Sequence, residues 1–167
     1  FIDEGRNLLI TEFGKNYGTY FSILSEIANG HYTQGEIESA LGGTAIGGYL
    51  SKLENVYNLI TRERPIFAKP GTKKNVRYVI GDNFLNFWFK YIEQNRSYIE
   101  LQNFDDLRQL AKADYPTYSG RVLEKYFKQK LAETGGFKEI GSWWETKSSI
   151  GKQRINSYEI DIVALKS

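Results

Sequence analysis

Three carboxylates stand where their chemistry needs a reason. The stretch "NSYEIDIVAL" (156–165) has the pattern of a β-strand: Ile160, Ile162 and Ala164 share one face, and Glu159, Asp161, Val163 and Leu165 the other. Both faces are largely apolar, so the strand is expected in an interior. An ionised carboxylate there costs several kcal/mol unless it is paired, hydrogen-bonded or bound to a metal. Upstream, Pro116 suits the first turn of a helix through "TYSGRVLEKYFKQKLAET" that stops at Gly135–Gly136. Its apolar stripe is Leu123, Phe127 and Leu131, with Val122 and Tyr126 alongside. Glu124 lies about 100° from Leu123 on the helical wheel, so it borders the packed face. Lys125, Lys128 or a basic residue of the 146–157 loop could pair with these acids. The chain has no cysteine and a single histidine, His31, so any metal would be held by carboxylates, which favours magnesium or manganese.

The elements that position these acids belong to a chain able to build a core. Its 167 residues are 41% hydrophobic and 15% aromatic, which excludes a disordered segment and leaves room for one medium domain or two small ones. No apolar run is long enough to span a membrane, and "FIDEGRNLLI" lacks the pattern of a signal peptide. A cytoplasmic setting without membrane partners is therefore expected. The absence of any methionine leads us to expect a segment of a longer protein. Net charge is only +2, yet its distribution is uneven. Residues 1–59 carry three bases against seven acids, residues 60–80 six against one, and the rest 13 against 12.

The first half reads as a winged helix. Tyr20, Ile23, Leu24, Ile27 and Ala28 form one helical face, closed at Asn29–Gly30. Thr33 and Glu36 form a capping box for a short helix ending at Leu41. After the turn "GGT", a third helix places Ile46, Tyr49, Leu50, Leu53 and Val56 inward. "LITRERPIF" and "NVRYVIGD" then read as strands around the loop "AKPGTKK". Such a hairpin would set Lys69, Lys73, Lys74 and Arg77 near DNA phosphates. The outward positions of the third helix are Thr44, Gly47, Gly48, Ser51, Lys52 and Asn55, of which only Lys52 is charged. Base-specific readout is therefore expected to be poor. Docking on protein remains the alternative use of the fold.

In "DNFLNFWFKYIEQNRSYIE" (82–100), Asp82 is the expected N-cap. Phe84, Phe87, Trp88, Tyr91 and Ile92 fall on one helical face and Phe89 on the other. Aromatic stacking on single-stranded nucleic acid is weighed against core packing here, and core packing prevails. A further helical stretch, "FDDLRQLAK", spans 104–112. The expected organisation is a winged helix over 1–81, a helical connector over 82–114 and a partial nuclease-like domain over 115–167, giving an α+β fold. In the last segment, "FKEIGSWWE" (137–145) and "YEIDIVAL" (158–165) are strands joined by a polar, basic loop.

From about Tyr17 to Leu165 the chain resembles a family of archaeal and bacterial AAA-type ATPases. "YFSILSEIANG", "TQGEIESALG" and "VRYVIGDNFLNFWFKYIEQNRSYIE" look like the region after its ATPase module. "SGRVLEKYF", "FKEIGSWWE" and "YEIDIVAL" look like its C-terminal domain, which is related to PD-(D/E)XK nucleases. The resemblance implies a restriction-endonuclease-like core in which Glu124 is the helix acid and Asp161 the strand acid around a divalent Mg2+ or Mn2+; Glu159 is a further candidate ligand, or a partner for the basic loop before it. It departs from the nuclease pattern in two respects. No strand with Glu-x-Lys follows, and Lys166 in "ALKS" has no glutamate two residues earlier. No GxxxxGK[ST] phosphate loop occurs either. The expectation is a vestigial or half-site, with neither ATP nor DNA hydrolysed by this segment and no cofactor held within it. Double-stranded DNA and the ATPase module of a parent protein are the implied partners. The alternative is a regulatory or oligomerisation tail that binds no nucleic acid.

Overall fold

The structure is a computed structural model that describes residues 2–69, 75–145, 149–150, 153–154 and 158–166. The expected Lys73 and Lys74 contacts and most of the basic 146–157 loop lie outside these residues. The described chain is a mixed α+β protein, mostly helical, with small two-stranded antiparallel sheets. Two compact units emerge. One holds the residues through Glu63 together with Arg77–Ala113, and the other holds Arg64–Val76 and everything from Asp114 onward.

The first unit opens with helix α1 (Ile2–Phe13) and a 3-10 turn over Gly14–Asn16. Helix α2 (Tyr17–Asn29) buries Tyr20, Phe21, Ile23, Leu24, Ile27 and Ala28, the face that its periodicity assigns inward. It ends because Gly30 adopts φ 103°, where a side chain would strain the backbone. The Gly30 N–H donates to the Ile27 carbonyl and the His31 N–H to the Glu26 carbonyl, satisfying two groups that the helix end would otherwise orphan. Helix α3 (Gln34–Ala40) begins at the reciprocal capping box. The Glu36 N–H donates to Thr33 Oγ1 at 3.3 Å, and the Thr33 N–H donates to Glu36 Oε2 at 3.1 Å. Helix α4 (Gly47–Asn55) buries Leu50 and Leu53, with Ile46 buried just before it.

Val56 departs from its expected inward position and is 65% exposed. As the C-cap, Val56 still donates its N–H to the Lys52 carbonyl at 2.9 Å, so it stays on the helical path with its side chain turned to solvent. Strands β1 (Ile60–Glu63) and β2 (Arg77–Ile80) pair antiparallel, with Ile60 opposite Ile80 and Arg62 opposite Tyr78. The Tyr78 N–H is spent on the Tyr32 carbonyl at 2.7 Å. The segment between α2 and α3 therefore lies along the edge of β2 that β1 leaves free.

Asp82 caps the next helix as expected, accepting from the Leu85 N–H at 2.7 Å. The aromatic stretch beyond it is not one α-helix. Helix α5 (Asn83–Phe87) passes into a π-helix over Trp88–Glu93, and helix α6 (Arg96–Glu100) follows a turn. The wider i→i+5 turn rotates the chain off the 3.6-residue wheel. Consequently Phe89, expected on the outer side, is fully buried beside Trp88 and Tyr91, whereas Phe84 and Phe87 are exposed. Phe21 of α2 meets both buried rings edge-on, Phe89 at 5.4 Å and Trp88 at 6.2 Å between centroids. These aromatics are core.

Helix α7 runs without interruption over Phe104–Thr134 and carries Pro116 inside it. The expected break between 112 and Pro116 does not occur. Proline removes one backbone donor, a loss that a long helix tolerates when the other ladder bonds persist. The helix stops at Gly135 and Gly136, with φ of 71° and 78°. In the second unit, β3 (Phe137–Trp144) pairs antiparallel with β6 (Glu159–Lys166), and a small hairpin joins β4 (Ser149–Ile150) to β5 (Gln153–Arg154). The expected interior setting of the last strand is not met, since no residue of β6 is buried and Ile160 is 51% exposed. Among the described residues β6 has one strand neighbour, so half of its surface stays uncovered. Leu123, Tyr126 and Phe127 on α7 are exposed too, so the expected apolar stripe is not packed among the described residues.

Candidate functional site

The carboxylates of the second unit are set by the pairing of β3 and β6. Gly141 faces Val163 and Trp143 faces Ile160, so two residues of β3 span three of β6. The extra residue is a β-bulge that places Asp161 and Ile162 together opposite Ser142. Strand alternation puts Ile140, Ser142 and Trp144 on one face of β3. On that face the Ser142 hydroxyl donates to Glu124 Oε1 at 3.2 Å. Lys128 Nζ donates to both Glu124 Oε1 and Ser142 Oγ. Glu124 and Lys128 are one turn apart on α7 and both half-buried. Glu124 is thus paired with one of the two lysines that sequence had offered.

Arg121, one turn before Lys125, lies near Glu124 and Glu159. The residue is exposed, yet surrounding protein takes water from its guanidinium. That desolvation lowers its pKa below the ordinary arginine value, against the opposing pull of Glu124 and Glu159. Glu159 sits opposite Trp144 and is exposed, as is Asp161 at the bulge. A hard cation at Glu124 would displace the Lys128 ammonium from Oε1. Among the described residues no three Asp, Glu, His or Cys side chains gather as a ligand set. Sequence reasoning missed Ser142 and Arg121. The signal for Ser142 was available: it is a polar residue between Ile140 and Trp144 on their face of β3.

Ile66 packs beside β3. The Ile66 N–H donates to the Ser142 carbonyl at 2.7 Å, and a Cβ at Gly141 would lie 3.7 Å from the Ile66 side chain. The hairpin loop expected to reach toward DNA is therefore held to β3 at its base, with Ile66 buried.

In the first unit, Thr44, Gly47, Gly48, Ser51, Lys52 and Asn55 of the α4 region are all exposed. Asn55 Nδ2 donates back to the Ser51 carbonyl at 2.9 Å, and Thr44 Oγ1 to the Leu41 carbonyl at 3.1 Å. Arg62 is engaged by Glu54 at 2.5 Å and stacks over Tyr78 at 5.5 Å. Arg77 lies half-buried opposite Glu63, and Lys69 is exposed in the second unit. Among the described residues no helix is long and apolar enough to cross a membrane.

An uncharacterized protein of Methanocaldococcus jannaschii is 38% identical to this chain over 156 residues, covering 88% of the chain and 32% of that protein. The chain spans about a third of the length of this curated relative. No solved structure matches the chain. Residues 88–167 match the profile of a family, DUF234, described as archaeal and bacterial proteins of unknown function, and that half of the chain is similar to its members.

Proposed function

We propose that this chain is the DNA-associated C-terminal region of a cytoplasmic AAA-type ATPase. In this reading a winged helix meets double-stranded DNA mainly through its basic hairpin, beside a nuclease-like domain without a working site. The observation that carries the reading is the concentration of charge. Six bases stand against one acid in residues 60–80, a segment that follows helices α2, α3 and α4 and contains both strands of the β1–β2 pair. Each phosphate neutralised there adds affinity that salt removes. The Tyr32–Tyr78 backbone bond supports the winged-helix topology by adding a third chain segment to the hairpin edge. The order of α7, β3 and β6, with Glu124 on the helix bonded to Ser142 of β3, supports the nuclease-like core. Lys128 on Glu124 supports its inactivity.

Fluorescence anisotropy with random duplex DNA across a salt series tests this. Binding should weaken as salt rises, and Lys73→Ala with Lys74→Ala should flatten the log–log slope by about one per lysine. Absence of binding at low salt, or indifference to both substitutions, overturns it.

A second reading, a regulatory or oligomerisation tail, draws on the single charge of the outer α4 face and on exposed Leu123, Tyr126 and Phe127 of α7. It requires concentration-dependent self-association by sedimentation that Phe127→Ser reduces.

A further inference from the structure

We infer that Phe67 is a stacking platform for an unpaired nucleobase. The residue sits in a β-turn, Pro65–Ala68, closed by the Ala68 N–H donating to the Pro65 carbonyl at 3.0 Å. At the third position of this turn Phe67 has φ 70°, where glycine or asparagine is the usual occupant. A bulky side chain at positive φ is costly, and such backbone persists only where neighbouring structure enforces it. Ile66 supplies that enforcement, being buried and bonded through its N–H to the Ser142 carbonyl. The gain is not burial, because Phe67 is 67% exposed. A rigid turn thus holds a flat apolar ring out toward solvent.

Charge selects the ligand. Arg64 and Lys69 flank the turn and are exposed, and the surrounding segment is the most basic of the chain. An aromatic ring between cations suits a nucleotide, whose base stacks on the ring while its phosphates meet the charges. Bases inside a duplex are already stacked on one another, so the ligand is DNA with exposed bases: a single strand, a frayed end or a distorted site. This inference rests on the DNA reading above and narrows its substrate class.

The test compares the 167-residue chain with Phe67→Ala, Phe67→Trp and Phe67→Gly, using an oligothymidylate, a blunt duplex and a single strand carrying 2-aminopurine. The alanine and glycine variants should lose about five- to a hundredfold in single-strand affinity, and the tryptophan variant should retain it. Their salt slopes should match the parent's because no cation is removed. Duplex affinity should change little, and 2-aminopurine emission should shift with the parent and not with Phe67→Ala. Glycine suits the turn's positive φ, so Phe67→Gly should melt no lower than the parent, which separates lost binding from lost fold. If the parent binds DNA and all variants bind single strands equally, the Phe67 inference falls while the DNA reading stands. If the parent binds neither DNA at low salt, both fall. Loss of self-association in Phe67→Ala with unchanged DNA affinity would assign the ring to a protein contact and overturn the inference.

Discussion

The Ser142 hydroxyl on β3 donates to Glu124 Oε1 on α7 across 3.2 Å, and Lys128 reaches both oxygens. Removing Lys128 leaves a half-buried carboxylate with one hydroxyl donor. Lys128→Ala should therefore cost about 1–2 kcal/mol in urea unfolding, the scale of a charged hydrogen bond in a partly shielded site. Glu124→Gln should cost less on the Lys128→Ala background than in the parent, so that the double variant loses less than the two single losses summed. A coupling below about 0.3 kcal/mol in that cycle would show that the two side chains act independently.

Burial divides Leu53 from Val56, three residues later on the same helical turn. Leu53 is fully buried and Val56 is 65% exposed. Leu53→Ala should cost about 2–5 kcal/mol through lost burial and a residual cavity. Val56→Ala should stay within about 0.5 kcal/mol. Denaturant midpoints decide between this arrangement and the inward Val56 of the periodic pattern, in which the two losses would be comparable.

What sequence reveals here is whatever local chemistry determines. The Thr33–Glu36 box, the Asp82 cap and the Gly30 and Gly135 stops are short-range bonds and backbone preferences, and each lies where its residues place it. The face of α2, and that of α4 through Leu53, were readable because one continuous α-helical period governs each; only Val56 at the end of α4 departs. Phe89 was not, because a π-turn changes the period inside an aromatic run whose members are all apolar, so the pattern carries no phase. Glu124 was legible as an acid bordering a packed face and is half-buried, whereas Asp161, expected in an interior strand, is exposed because β6 is not interior. The Ser142 bridge, the β6 bulge and the Ile66 anchor depend on strand register and on a loop distant in sequence, which residue types do not encode.

Pro116 inside α7 supplies a stability test of that correction. At this position the proline withholds a backbone donor from the Lys112 carbonyl and crowds the preceding turn. Pro116→Ala should restore the bond and raise stability by about 1 kcal/mol or more, part of the roughly 3 kcal/mol interior penalty being offset by the looser unfolded chain. Helicity by circular dichroism should not fall. If the helix began at Pro116, alanine there would remove a favourable first-turn residue, and the substitution would be neutral or destabilising.

Glu38 links the α3–α4 turn to pH. Gln34 Nε2 donates to Glu38 Oε1 at 2.7 Å, and the Ile46 N–H donates to the same oxygen at 3.1 Å at the start of α4. Both bonds favour the ionised carboxylate, the Gln34 bond more strongly, and hold its pKa below the ordinary value of 4.5. The folded pKa being the lower one, the unfolded chain binds more protons between the two values, and stability rises with pH across that interval. The contribution is complete above the unfolded pKa and is lost as pH falls through the folded one. Glu38→Gln keeps the shape but removes the charge. The parent should therefore exceed the variant in urea midpoint near neutral pH and lose that advantage as pH drops below 4.5 toward the folded value. The Glu38 side-chain carbon should titrate by NMR below the other exposed glutamates. A constant midpoint difference between neutral and acid pH would mean that the two donors hold Glu38 no better when it is charged.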